Sequence, residues 1–185
     1  MKKLVIGISG SSGSVYAHLL IKKLMQLRDQ WDAIGLVASQ NAFVNWKLEL
    51  DEEMNIPDPI RFYPNQDFNA PFASGSAQYD TMIICPCSMG TLGRIAHGLS
   101  DSLMTRAADV ILKEKRKLIL VPRETPLSLI HLRNMTLLAE CGAYLVPAIP
   151  SFYTRPGTVE ALLSTVIDRV LDLAGFELDV KRWGA

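Results

Sequence analysis

The sequence has no excess of either charge and few cysteines. Across 185 residues, 19 lysines and arginines balance 19 aspartates and glutamates, so the formal net charge at pH 7 is +0. A balanced charge gives no electrostatic reason to expect nucleic acid or an anionic membrane as a partner. The three cysteines, Cys85, Cys87 and Cys141, are an odd number without a disulfide framework, which favours a reducing, cytoplasmic location.

Long apolar runs and clusters of metal ligands are also missing. The short apolar run that follows Lys3 gives way to small polar residues after Gly7, so we expect no signal peptide. No apolar stretch approaches the roughly 18 residues of a membrane span. Cys85 and Cys87 lack the second ligand pair of a structural zinc site, and the three histidines share no metal-binding spacing. We therefore expect no membrane partner and no metal, and we interpret the two cysteines as packing at a strand end.

The apolar residues, 49% of the chain, fall in alternating strand and helix patterns. Short apolar runs are typical of buried parallel strands, and intervals of three and four indicate helices. The alternation favours one doubly wound, mainly parallel α/β sheet, which we assign to a single domain over 1–185. The predicted strands cover 4–8, 33–38, 60–63, 82–84, 118–121 and 143–146; the predicted helices cover 15–27, 41–50, 103–115 and 125–141, with a last one after Thr158. Thr125 and Pro126 fit the cap and first position of their helix.

A loop of glycines and serines, residues 7–13, follows the first predicted strand, and we call it the glycine loop. Its small residues allow the backbone to close around an anion, and the next helix adds its N-terminal dipole. The spacing is G-x-x-G-x-x-G, whereas dinucleotide-binding loops have G-x-G-x-x-G and an acidic residue after the second strand. Here Ser39 follows that strand, and no Gly-Lys-Ser/Thr follows the loop. The pattern favours a mononucleotide such as FMN over NAD or ATP; a plain strand-to-helix turn is the alternative.

Polar residues follow both central strands. Ser88 comes after the first, and Arg123 with Glu124 comes after the second. In open α/β sheets, ligands bind beyond the carboxyl ends of the strands. An adjacent Arg–Glu pair at that edge therefore indicates a site for a charged small molecule.

Further charged residues lie on a predicted helix. Arg106, Asp109 and Lys113 fall at i, i+3 and i+7 and so share one face, on which Asp109 can pair with Lys113. A solvated charged face is the alternative interpretation of the same spacing.

The C-terminal part of the chain adds three candidates. Tyr153 lies in a proline-bounded loop over 150–156, which we interpret as a lid. Arg169 flanks the apolar stripe of the last helix, from which it can reach inward. Trp183, in a polar tail, is interpreted as a cover for a site or for a partner subunit.

Eight segments occur together in one order along nearly the whole chain. They are G-I-S-G-S-S-G (7–13), V-A-S-Q-N-A-F (37–43) with Glu49 ten residues after Ser39, A-S-G-S (73–76), C-P-C-S-M-G-T-L (85–92), R-A-A-D-V-I-L-K-E-K-R (106–116), V-P-R-E-T-P-L (121–127), P-S-F-Y (150–153) and R-W-G (182–184). In these segments the chain resembles the flavin prenyltransferase family of UbiX-type proteins. Gly90 stands where many relatives carry lysine, and a glycine form also occurs in the ubiquinone-pathway branch.

The resemblance implies a Rossmann-like flavoprotein fold and a reaction. Reduced FMN and dimethylallyl monophosphate would give prenylated FMN, the cofactor of UbiD-type decarboxylases, with release of phosphate. It also implies a homododecamer whose sites are shared between subunits. By match to the family's motifs, FMN would be held by Gly10, Ser11, Ser12, Ser39, Ser88, Met89, Gly90, Thr91 and Arg123; the prenyl phosphate by Arg106, Lys113, Tyr153 and Arg169; and catalysis would involve Glu49, Glu124 and Ser12.

Two other functions remain open at this stage. An FMN-dependent cysteine decarboxylase has a similar fold, but it uses a catalytic histidine after the first helix and a Pro-x-Ser-Ala-Asn run, and the corresponding region here offers neither. A flavin carrier needs the glycine loop but has no use for Lys113, Glu124, Tyr153 and Arg169 together. The choice between a mono- and a diphosphate donor also stays open.

Overall fold

The computed structural model describes residues 1–180 and 184, so Trp183 and most of the R-W-G motif lie outside the described residues. Short 3-10 helices lie at 28–30, 71–73 and 75–77. The strands are β1 (Lys2–Ile8), β2 (Trp31–Ala38), β3 (Arg61–Pro64), β4 (Thr81–Cys87), β5 (Lys117–Pro122) and β6 (Tyr144–Leu145); the helices are α1 (Ser14–Gln26), α2 (Gln40–Leu50), α3 (Met89–Ala96), α4 (Leu103–Lys113), α5 (Leu129–Glu140) and α6 (Val159–Leu173).

The strands form one sheet in the order β3-β2-β1-β4-β5-β6, in which every neighbouring pair is parallel. The chain moves outward from β1 to β3 and then crosses back to β4, which pairs with the other side of β1. The winding therefore reverses between β1 and β4, and ligands bind at such a switch point, beyond the carboxyl ends of the strands. This topology confirms the predicted doubly wound, Rossmann-like fold.

The sheet separates two apolar layers. Leu4 and Ile6 of β1 pack in a layer with α1 and α6, whereas Val5 between them packs on the opposite side with α3 and α4. Successive residues of a strand point to opposite faces, so a strand that is covered on both sides must be apolar throughout. This explains the continuous apolar runs in the sequence. Any residue on α6 is thus divided from any residue on α4 by the sheet.

The helix after β5 begins later than predicted. α5 starts at Leu129 with Ser128 as its N-cap, and the Ser128 hydroxyl accepts a hydrogen bond from His131 N at 3.2 Å. The assignment of Thr125 and Pro126 to the helix start was wrong, because these residues lie in a non-helical bend and Ser128 forms a capping box with the histidine.

The other predicted strands and helices are present with ends shifted by a few residues, and α3 is an addition. Gly90 and Gly93 lie within α3, and glycine has a low helix propensity, which hides so short a helix in the sequence. Cys85 and Cys87 are completely buried in β4, as the strand-end interpretation predicts. Burial raises the pKa of both thiols, that of Cys87 to about 12, so neither is a thiolate at neutral pH. Among the described residues, no helix combines the length and the hydropathy needed to cross a membrane.

Candidate active site at the carboxyl edge of the sheet

Ser9 joins the loops that follow β1 and β4. Its buried hydroxyl donates a hydrogen bond to the Pro86 carbonyl at 2.8 Å and accepts one from Ser88 N at 2.7 Å. The two loops on either side of the switch point are therefore held at a fixed separation. Ser9 is not among the site residues predicted from the sequence. Its place inside the glycine loop was the available signal, but its burial could not be seen in the sequence.

Arg123 binds the glycine loop from the end of β5. Ser11 Oγ donates to the Arg123 carbonyl at 2.7 Å, and Arg123 Nε donates to the Ser12 carbonyl at 2.8 Å. These reciprocal bonds place the guanidinium beside the loop. The structure thus brings Arg123 to Ser11 and Ser12, which lie more than a hundred positions earlier in the sequence.

Glu49 binds the N-terminus of α1. Its carboxylate accepts hydrogen bonds from Gly13 N at 2.9 Å and from Ser14 N at 2.7 Å. Burial raises the pKa of Glu49, but these two backbone bonds, with bonds from the Ser12 and Ser14 hydroxyls, outweigh burial and lower it below the ordinary value. Glu49 is therefore ionised at neutral pH. The start of α1 therefore attracts negative charge, and the Glu49 carboxylate occupies its N–H groups.

Ser39 and Ser88 begin the next two helices at the same edge. Ser39 Oγ accepts from Ala42 N at 3.2 Å and caps α2, and Ser88 Oγ accepts from Thr91 N at 3.2 Å and caps α3. Both have a structural role that alone accounts for a serine at these positions. Three helix N-termini nevertheless converge on the switch point.

Met89 and Gly90 follow Ser88 in the first turn of α3. The Met89 side chain is buried in the apolar layer, so it is the main chain of Met89 that faces this edge of the sheet. Gly90 is exposed, and a methyl group in its place would meet only Arg94 Nη1 at 3.5 Å, an ordinary contact.

Glu124 lies directly after Arg123 at the same edge. It is exposed, and its Oε1 accepts a hydrogen bond from Thr125 N at 3.1 Å. The arrangement holds the carboxylate close to the connection that leads into α5. The predicted Arg–Glu pair is thus presented at the carboxyl edge, with Arg123 turned to the glycine loop.

The charged residues of α4 pair differently from the prediction. Asp109 pairs with Arg106 at 3.2 Å, and Lys113 pairs with Glu114 at 3.4 Å, so the predicted Asp109–Lys113 pair is wrong. Arg106 Nε also donates to the Ala73 carbonyl at 3.1 Å, which draws its head group toward the 71–73 turn and brings Asp109 within reach one turn later. Lys113 ends α4, at the side of the sheet where β5 starts, away from the glycine loop.

Tyr153 and Arg169 line one cavity of about 690 Å³. Arg169 is exposed and pairs with Asp172 at 2.6 Å, within the last turns of α6. The cavity lies on the α6 side of the sheet, whereas Lys113 ends the helix on the opposite side. Within one chain, therefore, Tyr153 and Arg169 come together and Lys113 does not join them.

The residues at the carboxyl edge fit the phosphate of a mononucleotide. Gly13 N and Ser14 N are occupied by the Glu49 carboxylate, so the groups at this edge that suit a phosphate are the Arg123 guanidinium and the N-terminal turns of α2 and α3. Ser39 stands where a dinucleotide site needs an acid for the ribose diol. Hydroxyl, guanidinium and main-chain donors are the groups that bind phosphate in proteins.

Known proteins resemble the chain over almost its whole length. The family model described as "Flavoprotein" matches residues 1–171. A Thermoplasma acidophilum protein named flavin prenyltransferase UbiX is 46% identical over 184 residues, which cover 98% of this chain and 99% of the relative. The chain belongs to the flavin prenyltransferase family.

Solved structures of flavin prenyltransferase relatives have the same fold. A dodecameric FMN-dependent UbiX-like decarboxylase from Escherichia coli O157:H7 matches with a TM-score of 0.92 and 40% identity, over 99% of this chain and 100% of that one. AnUbiX (PadA1), solved with FMN and dimethylallyl pyrophosphate, matches with a TM-score of 0.90 and 38% identity, over 100% and 98%. A PPC decarboxylase variant, at 19% identity and a TM-score of 0.68, shares the fold alone.

Proposed function

We propose that this protein transfers a dimethylallyl group from dimethylallyl monophosphate to reduced FMN and releases phosphate. The main structural support comes from the start of α1. The N–H groups of Gly13 and Ser14 bind a carboxylate next to Arg123, at the switch point of a sheet whose family is that of the flavin prenyltransferases. Family membership supplies the class of reaction, and this geometry shows that the edge of the sheet beside Arg123 attracts anions, as the flavin phosphate requires.

We assign the binding of FMN to the residues around the glycine loop. Arg123 and the N-terminal turns of α2 and α3 attract the phosphate, and the Ser39 hydroxyl, which accepts from Ala42 N, can donate to it. Reduced FMN, when bound, supplies the electron-rich ring that accepts the allyl group. The proposed FMN-binding set is Gly10, Ser11, Ser12, Ser39, Ser88, Met89, Gly90, Thr91 and Arg123.

The donor phosphate is assigned to Arg106, Lys113, Tyr153 and Arg169. Breaking the allylic C–O bond leaves negative charge on the phosphate, and preorganised cations stabilise such charge by several kcal/mol. Tyr153 and Arg169 line the same cavity, but the sheet separates them from Lys113. We therefore propose that Lys113 completes the phosphate site of a neighbouring subunit.

A shared site requires an oligomer, and we propose a homododecamer. The 40% identical relative from Escherichia coli O157:H7 is dodecameric. In this chain α5 exposes four large apolar side chains, Leu129 at 61%, Ile130 at 68%, Leu132 at 46% and Leu137 at 39%. Apolar side chains grouped on one exposed helix are typical of an interface between subunits.

Proton transfer is assigned to Glu49, Glu124 and Ser12. Glu49 is ionised at neutral pH and hydrogen-bonded to the Ser12 hydroxyl, so it can accept a proton from a group next to the glycine loop. Glu124 lies beside Arg123 at the same edge. We further propose that the product serves a UbiD-type decarboxylase in the cytoplasm, within the ubiquinone pathway.

Mass spectrometry of the extracted flavin tests the reaction. The protein is incubated without oxygen with FMN, a reductant and dimethylallyl monophosphate, and the expected product is FMN with one added dimethylallyl group. A parallel incubation with the diphosphate shows which donor is used. Recovery of unmodified FMN with both donors would contradict the proposal and would leave a flavin carrier; decarboxylation of a cysteinyl substrate would support the cysteine decarboxylase.

A further inference from the structure

We infer that Asn45 is a positioning residue for FMN: its side-chain amide holds the glycine loop against α2. Asn45 Nδ2 donates a hydrogen bond to the Gly10 carbonyl at 3.0 Å, across 35 residues of sequence. The side chain is half-buried, so water competes only in part for the two groups. The inference rests on the proposed function, since it concerns the same flavin-binding loop.

Asn45 is the middle residue of a helix face that follows the glycine loop. Asn41, Asn45 and Glu49 are spaced by four residues and share one face of α2. A methyl group on Gly10 would lie 2.4 Å from Asn41 Cβ, so the loop is packed on the helix with no room to spare. At the other end of the face, Glu49 binds Gly13 N and Ser14 N. Asn45 supplies the neutral hydrogen bond between these two contacts.

Because the Asn45 side chain is neutral, its hydrogen bond to the glycine loop does not depend on protonation, whereas the hydrogen bonds to Glu49 do. The bonds from Glu49 to the loop are strongest while its carboxylate is charged, and Glu49 is assigned to proton transfer. An amide does not titrate, so the bond from Asn45 to Gly10 persists when Glu49 gains a proton. The opposite side of the loop is held by Arg123 and Ser9. Asn45 therefore keeps the α2 side in place during turnover.

Titration with FMN alone tests the inference. Asn45→Asp keeps the shape of the side chain but points a charged acceptor at the Gly10 carbonyl, and Asn45→Ala removes the donor without adding charge. Leaving the Gly10 carbonyl unsatisfied should raise the Kd for FMN about 5- to 100-fold. We expect a larger effect for Asn45→Asp than for Asn45→Ala. Asn55→Asp, at an exposed asparagine beyond α2, makes the same charge change and should leave the Kd unaltered.

Two further measurements separate positioning from a general loss of stability. Turnover at saturating FMN and the KM for dimethylallyl monophosphate should change less than twofold in Asn45→Ala, because the reacting groups are intact. In a Glu49→Ala background, Asn45→Ala should weaken FMN binding more than in the wild type, because both α2 contacts are then absent. Thermal unfolding shows that each variant is folded.

The inference is overturned if Asn45→Ala binds FMN as tightly as the wild type, or if Asn45→Asp behaves like Asn55→Asp. A drop in turnover at saturating FMN with an unchanged Kd would equally overturn it. The titration needs no prenyl donor. Tight FMN binding without prenyl transfer by the wild type would therefore contradict the proposed function and leave the role of Asn45 standing.

Discussion

Glu49 Oε2 accepts a hydrogen bond from Gly13 N at 2.9 Å, although the two residues are 36 positions apart. Gly13 has a φ of 117°, in the left-handed region that glycine adopts readily, and this conformation turns the end of the glycine loop into α1. The Glu49 carboxylate therefore binds the N-terminus of α1 at a residue whose backbone conformation glycine adopts more readily than any other residue. The contact joins the residue assigned to proton transfer to the loop assigned to phosphate binding.

FMN should bind more tightly than FAD, NAD or ATP. The glycine loop offers one phosphate site, and Ser39 replaces the acid that would bind the ribose of a dinucleotide. Competition between the four ligands, followed by flavin fluorescence, measures the order of affinity. Equal or tighter retention of FAD would show that the loop accepts a second phosphate and that our interpretation of Ser39 is wrong.

Glu49→Gln and Glu124→Gln should retain FMN and lose at least tenfold in prenylation rate. Both carboxylates are assigned to proton transfer, and a positioned acid or base typically contributes about 10²- to 10⁴-fold. Glutamine keeps an oxygen that can accept from Gly13 N or Thr125 N, so the loop contacts survive. The rate is measured in single turnovers at saturating FMN, with the Kd determined separately. A parallel loss of FMN binding would place these residues in the flavin site instead.

The stability of the protein should depend on pH through Glu49. Its pKa is lower in the folded state than in the unfolded state, so its contribution is complete above the ordinary glutamate pKa of about 4.3 and is lost as the pH falls through the lowered folded pKa. Urea unfolding of the wild type and of Glu49→Gln across pH 2–7 measures this. The difference between the two should shrink toward acid pH; a constant difference would contradict the assignment.

Lys113→Ala and Arg169→Ala should each raise the requirement for dimethylallyl monophosphate while FMN affinity changes little. A charge-assisted contact contributes roughly 1.5–3 kcal/mol, which is about a 10- to 150-fold effect. Tyr153→Phe should cost less, because one neutral hydroxyl is removed and the ring remains. Donor-dependent turnover measures the effect. If both charge variants depend on the donor concentration as the wild type does, these residues are solvent-exposed charges on their helices and do not bind the donor phosphate.

The same two variants test whether sites are shared between subunits. Because the sheet separates Lys113 from Arg169, each variant would damage a different contributor to one site. Mixed oligomers, formed by refolding the two variants together, should regain part of the wild-type turnover at low donor concentration. Mixtures that are no more active than the separate variants would contradict a shared site.

Ser9→Ala should lower the free energy of unfolding by about 1–3 kcal/mol, since it leaves Ser88 N without its acceptor and removes one of the two hydrogen bonds to the buried Pro86 carbonyl. FMN affinity should fall with it, because the two loops lose their fixed separation. Urea unfolding gives the first quantity. Ser76→Ala, at an exposed serine, is the matched control and should stay within about 0.5 kcal/mol of the wild type.

The fold could be predicted from the sequence because its signals are local. Apolar runs such as 4–8 and 118–121 specify buried strands, and the helical intervals between them leave only a doubly wound sheet. The glycine loop and the residues after the central strands indicated the carboxyl edge for the same reason. Where a local signal was weak, in the short helix α3, or ambiguous, at Thr125 and Ser128, the prediction missed or misplaced an element.

The partners of the polar side chains were decided by the tertiary structure alone. The contacts of Asn45 with Gly10, of Glu49 with Gly13 and of Ser9 with Ser88 span 35 to 79 residues, and only the packing of α2 and the order of the strands bring them together. On its own helix Asp109 could pair with Arg106 or with Lys113. It pairs with Arg106, whose guanidinium also donates a hydrogen bond to the Ala73 carbonyl. Sequence determined the strands, the helices and the type of site, because backbone conformation and burial follow local pattern. Hydrogen bonding and ion pairing depend on distances between elements, which only the folded chain defines.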